Sequence, residues 1–117
     1  MLTKVERIEK PWGYELIFAH TDSYAGKILH VNAGEALSLQ YHEEKDETLY
    51  LIKGEYELEV DEDGTMVRHQ LRLGDSYHIK TGTRHRMVAG PDGCDIVEVS
   101  TPELHDVVRL EDRYGRV

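Results

Sequence analysis

Four side chains in this sequence are of types that bind metal ions, at spacings that let them share one: Gln40, His42, Glu47 and His85. In an extended strand, residues two apart share a face, so Gln40 and His42 point one way while Leu37, Leu39 and Tyr41 point the other. Glu47 follows across a charged connection, Glu43 to Asp46, and a second stretch of similar build, GDSYHIKTGTRHR, supplies His85. Two imidazoles, a carboxylate and an amide oxygen form a mixed, fairly hard donor set. It suits one divalent ion such as Zn²⁺, Mn²⁺, Fe²⁺, Co²⁺ or Ni²⁺, and two histidines disfavour Mg²⁺. Such an ion, if it accepts six ligands, keeps two positions for substrate oxygens. The alternative is a set of inward polar groups that satisfy only one another. Against it, a buried Glu47 needs a compensating cation or a raised pKa, and a metal provides the cation directly.

The elements that must carry these residues are short and apolar-rich. Tyr14 to Ala19 and Ala25 to Val31 read as strands, and Asn32-Ala33-Gly34 turns into the strand of Gln40 and His42. Leu49 to Val60 runs on to Tyr56, Leu58 and Val60, which alternate with Glu55, Glu57 and Glu59 as in a half-buried strand. Asp61 to Gly64, DEDG, has hairpin-turn chemistry. Met66 to Leu73, Tyr77 to Ile79, Arg84 to Val88 and Ile96 to Ser100 read as further strands, with turns at Gly74-Asp75 and at Gly90 to Gly93. Thr3 to Lys10 is an edge strand or a loose arm, ended by Pro11-Trp12-Gly13. No stretch has a long helical period, and Glu103 to Val107 forms at most a short turn. Many short strands with evenly spaced turns predict an all-β sandwich or barrel.

The chain has 117 residues, so one domain spanning 1–117 is expected, with 1–12 as an N-terminal arm, burying roughly two-thirds of its unfolded surface. A net charge of −9 with no basic run argues against nucleic acid or an anionic membrane as partner. An anionic substrate therefore requires local positive charge, from a metal or from clustered Lys and Arg. Cys94 is the only cysteine, so no internal disulfide is possible. The N-terminal residues lack the apolar core of a signal peptide, and no apolar run reaches membrane-spanning length, so a cytoplasmic location is expected.

Gly34, Gln40, His42, Glu47 and Gly54 keep every spacing of the first cupin motif, with Gln40 at its first histidine. Gly74, Lys80, Gly82 and His85 keep the second, with Lys80 where proline is usual. On these residues the chain resembles the cupin superfamily, which implies a double-stranded β-helix or jelly-roll barrel holding one divalent metal on Gln40, His42, Glu47 and His85. Glu9 to Gly13, Leu37 to His42, Gly82 to Arg86 and Asp112 to Arg116 further resemble the C-terminal cupin domain of type II mannose-6-phosphate isomerase. That domain follows a GDP-mannose pyrophosphorylase domain in bifunctional relatives. No glycine-rich phosphate loop like theirs occurs here, so nucleotide-sugar synthesis is not expected.

The family pattern Gln-x-His-His-His-Arg-x-Glu-His-Trp is altered to Glu43, Glu44, Lys45, Thr48 and Leu49 at its substrate-side positions. Lys45 retains a cation without arginine's bidentate fork. The resemblance implies a metal-dependent sugar or sugar-phosphate isomerase, with Glu47 or His78 moving the proton and Lys45 and Arg116 contacting substrate. The alternatives are an Fe-dependent oxygenase and a non-catalytic metal- or sugar-binding cupin. Fold-level analogy adds a homodimer. His20, His30, His69 and His105 read as ordinary strand or surface histidines, Arg84 and Arg86 as an outward ion-paired face, and Trp12 as the cap of a core or of an oligomer contact.

Overall fold

The computed structural model describes residues 1–117 as nine antiparallel β-strands and no helix. They are β1 (Glu6–Lys10), β2 (Gly13–His20), β3 (Ala25–Val31), β4 (Leu39–Tyr41), β5 (Glu47–Glu62), β6 (Thr65–Leu71), β7 (Ser76–Ile79), β8 (His85–Ser100) and β9 (Val108–Glu111). One hydrogen-bonded row runs β1-β2-β3-β8-β4-β9, and β5 pairs with β6, β7 and β8. β5 and β8 are 16 residues each and pair along nearly their whole length, so they belong to both walls of a barrel.

A strand that serves two walls must bend without leaving its ladder. The β5–β8 register shifts between Leu51 and Lys53 and again between Gly54 and Tyr56. The inward-facing set of β5 accordingly changes from odd numbers (Glu47, Leu49, Leu51) to even ones (Tyr56, Leu58, Val60), all buried. Glycine is required at the bend. Gly54 has φ +74°, and a Cβ there would lie 2.1 Å from the Gly93 carbonyl oxygen.

The expected turn at Gly90–Gly93, with separate strands on either side, is therefore corrected: those glycines sit within one continuous β8. A glycine that ends a strand and one that lets it bend look alike in sequence. Asp63 (φ 55°) and Gly64 (φ 86°) form the expected hairpin between β5 and β6, both central residues left-handed as a type I′ turn demands. The N-terminal residues resolve as an edge strand, β1 pairing with β2 from Glu6↔Ile17 to Lys10↔Gly13. β9 was not anticipated. Its sequence, VRLE, is too short and too exposed to alternate visibly.

The core fills the barrel from both walls: Leu29, Val31, Leu49, Leu51, Leu58, Val60, Ile79, Met87 and Ile96 are all buried, and Trp12 closes one side. Burying side chains of this kind stabilises by about 1.5–3 kcal/mol each. Tyr56 is fully buried, but its hydroxyl has no hydrogen-bond partner. A desolvated, unpaired hydroxyl costs more than the ring gains from carrying it. Tyr56→Phe is expected to raise stability by about 1 kcal/mol, read as a higher urea midpoint at unchanged slope. A lower midpoint would contradict this packing.

Candidate metal centre

The fold brings three of the four expected ligands together. Glu47 is the first residue of β5, His85 the first of β8, and His42 follows β4 directly. Their ligand atoms all lie within 4.8 Å of one another. The residues are 3%, 2% and 0% exposed for His42, Glu47 and His85. Gln40 is directly opposite His85 in the β4–β8 ladder, on the same inner face, and its Oε1 accepts a hydrogen bond from Ser38 Oγ at 2.7 Å.

Both imidazoles are oriented from behind. His42 Nδ1 lies 2.5 Å from the Asp106 carbonyl oxygen, and His85 Nδ1 lies 2.9 Å from that of Thr83. A carbonyl only accepts, so each Nδ1 carries the proton and each Nε2 is left with a lone pair at neutral charge. These two nitrogens converge on Glu47 Oε1, at 3.4 Å from His42 and 3.3 Å from His85. Neither has a hydrogen-bond partner. Buried lone pairs facing one another with no donor between them fit a cation. Protonated, either ring would instead donate to Glu47, so protons compete with the ion and acid weakens its binding. Burial alone would raise the Glu47 carboxyl; when the imidazoles are protonated and donate to it, they and Lys45 outweigh burial and hold the group well below the usual carboxylate range.

In the charged connection between β4 and β5, Glu43 and Glu44 are exposed while Lys45 is buried. Backbone N–H groups of Glu43, Glu44 and Lys45 donate to the Asp106 carboxylate at 3.0, 2.7 and 2.8 Å, folding the connection over the site. Desolvation pushes the Asp106 carboxyl up, and these three donors more than offset it, keeping it low. Lys45 is only 4% exposed. Its Nζ lies 3.1 Å from Glu47 Oε2 and 3.0 Å from Glu98 Oε2. Burial would lower its pKa, yet Glu98 and Glu47 together hold it above the ordinary lysine value. For Glu98 burial acts upward and Glu47 adds to it, with Lys45 and Lys27 pulling back, so its carboxyl is raised. Two carboxylates thus share one ammonium. Lys45 steadies Glu47, with one carboxylate oxygen toward the imidazoles and the other toward the ammonium.

Beside this centre opens a cavity of about 390 Å³ whose wall includes Gln40, His42, Lys45, Glu98, Arg109 and Arg116. Trp12 lines it as well as capping the core. Arg116, expected at the substrate, reaches the wall but is held by Asp112 through Nε and Nη2, both at 2.9 Å. That guanidinium outweighs desolvation and brings the Asp112 carboxyl down to about 2.

His78 does not reach the site. It pairs with Thr48 in the β5–β7 ladder, one residue on from inward Glu47, and therefore faces outward. There it is half exposed, with Nε2 2.8 Å from Asp46. Its expected part in proton transfer is corrected accordingly. Arg84 and Arg86 pair with Asp61 and Glu59 at 2.9 Å each, as expected of an outward face. Sequence reasoning missed Ser38, Glu98, Arg109 and Asp106. Glu98 alone carried a signal, since it shares parity with buried Ile96 in one strand.

A model of the cupin domain matches residues 27–99, well over half of the chain. The chain belongs to the cupin family. Among curated cupin-bearing relatives, it is 36% identical over 115 residues to mannose-1-phosphate guanylyltransferase of Escherichia coli (strain K12), covering 94% of this chain and 23% of that one. It is 34% identical, with the same coverage, to mannose-1-phosphate guanylyltransferase ManC of Salmonella typhimurium. The chain thus spans about a quarter of the length of these relatives. Among solved structures, oxalate decarboxylase from Bacillus subtilis superposes with a TM-score of 0.80 at 19% identity, covering 97% of this chain and 32% of that one. KdgF from Halomonas sp. does so with 0.69 at 23% identity, covering 86% of each chain. At these identities the likeness is one of fold alone.

Proposed function

We propose that this cupin holds one divalent ion on His42, Glu47 and His85, with Gln40 completing the set, and interconverts an aldose and a ketose as a sugar or sugar-phosphate isomerase. The observation that supports it most is the pair of bare, buried Nε2 atoms converging on one carboxylate oxygen at the edge of a polar cavity. The mannose-1-phosphate guanylyltransferases among its relatives make a sugar phosphate the first substrate class to examine.

When bound, the ion supplies Lewis-acid polarisation of a carbonyl and its neighbouring hydroxyl. The remaining work falls to the chain. The isomerisation removes a proton from the carbon beside the carbonyl and returns one to the adjacent carbon, so it needs a base in the cavity wall. Glu47 is engaged on both oxygens by the imidazoles and Lys45. Glu98 lines the cavity with a carboxyl raised by burial, which makes it a stronger base than an ordinary carboxylate. Glu98 takes the proton, Lys45 keeps Glu47 in place, and Trp12 walls the site against water.

Metal-loaded protein in deuterated water, given mannose 6-phosphate, other sugar phosphates, free mannose and free lyxose, is expected to exchange the C2 proton of at least one, followed by NMR. Glu98→Gln should slow that exchange by about 100-fold or more without changing metal content. If no sugar in the set exchanges under any of the five ions, the isomerase reading is lost.

A further inference from the structure

Five Lys and Arg side chains line the cavity: Lys10, Lys27, Lys45, Arg109 and Arg116. Four have a carboxylate within 4.0 Å. Lys10 and Lys27 share Glu15, Lys45 lies between Glu47 and Glu98, and Arg116 is clasped by Asp112. Arg109 has none; the residue is half-buried, and its Nε lies out of solvent without a hydrogen-bond partner. A guanidinium at a cavity wall with a desolvated, unpaired donor is costly unless something else satisfies it.

Its position shows what that could be. Arg109 lies directly opposite Gln40 in the β4–β9 ladder, and Gln40 lies directly opposite His85 in the β4–β8 ladder. The three therefore form one row across the inner face. Two inter-strand spacings, about 10 Å, separate the metal ligand from the arginine at the backbone. A small ligand with oxygens chelating at one end and an oxyanion at the other matches that separation. The net charge of −9 makes such local positive charge necessary for any anionic ligand.

We infer that Arg109 is the oxyanion-recognition residue of this cavity, its guanidinium gripping the phosphate or carboxylate of a ligand whose other end faces His42 and His85. This rests on the metal-centre reading above for the ligand's other end, but the anion contact is testable without metal. Arginine suits the task because its planar fork meets such groups through two N–H donors at once.

The test uses full-length protein stripped of metal on a chelating resin and titrated with inorganic phosphate and, separately, malonate, followed by ¹H–¹⁵N NMR. Wild type is expected to bind one of them saturably, with shifts at Arg109 and Gln40, and the better ligand identifies the kind of oxyanion. Arg109→Met should weaken that binding by about tenfold or more, and Arg109→Lys should recover only part. Both variants should keep the wild-type melting temperature within a few degrees and the wild-type metal affinity, because Arg109 holds no protein partner. Binding unchanged in Arg109→Met, or no saturable binding of either anion to wild type, overturns the inference. Arg109-dependent anion binding in a protein that takes up no metal would sustain it and remove the proposed function instead.

Discussion

Replacing His85 with alanine is expected to abolish stoichiometric metal binding, lowering affinity by well over about 100-fold. Even partners one step removed from a metal are worth about 10–100-fold, and His85 supplies one of the two bare nitrogens at the centre. Its Nδ1 is fixed by the Thr83 carbonyl, so no rotation lets another atom of the ring substitute. His42→Ala should behave alike, since its anchor on the Asp106 carbonyl is equivalent. Competition with a chromophoric chelator would measure the loss. Both variants should stay folded as judged by NMR dispersion, and their melting temperatures should no longer respond to added divalent ion. Wild-type affinity retained in both would mean that the ion, if any, sits elsewhere.

Lys45→Met is expected to be the most destabilising substitution in the metal-free protein, by about 3–5 kcal/mol. It removes the single ammonium shared by two buried carboxylates, Glu47 and Glu98. The cost is the uncompensated charge left behind, so adding Glu98→Gln should restore a large part of it. The pH dependence follows from the same pair. In the wild type Glu47 is held low, so its contribution is present above the unfolded carboxylate value and is lost as pH falls through the folded one. In the variant Glu98 loses the ammonium that pulls its carboxyl back, so that carboxyl rises further, and for it the sign is the reverse. Its burial is least penalised below the unfolded carboxylate value and costs more as pH rises. The wild-type advantage should therefore be widest near neutrality and narrow toward pH 4 in urea denaturation. A constant gap across that range would show that Lys45 acts through packing alone.

How much of this was legible in the sequence varies with the kind of evidence each part needed. His42, Glu47 and His85 were readable because ligand type and fixed spacing are local properties, and parity put Gln40 with them. The β5 alternation at Tyr56, Leu58 and Val60 was readable for the same reason. Lys45 was not. A run of Glu, Glu, Lys and Asp reads as solvated, and only Asp106, from a distant turn, collects the backbone N–H groups that fold it inward. His78 looked promising from its nearness to the second glycine motif, yet its register with Thr48 turns it outward. Gly93 reads as a stop but serves with Gly54 as a bend, because a close backbone contact between two strands leaves no trace in either one alone. Arg109 is visible only once β9 is laid beside β4.

The most direct measurement is an isothermal titration of metal-stripped protein with Zn²⁺, Mn²⁺, Fe²⁺, Co²⁺ and Ni²⁺ in turn, run beside His42→Ala and His85→Ala. Wild type should take up one equivalent of at least one ion, with proton release that grows as the pH is lowered, and the two variants should take up none. No uptake by wild type, or equal uptake by all three proteins, would contradict a metal centre at these residues.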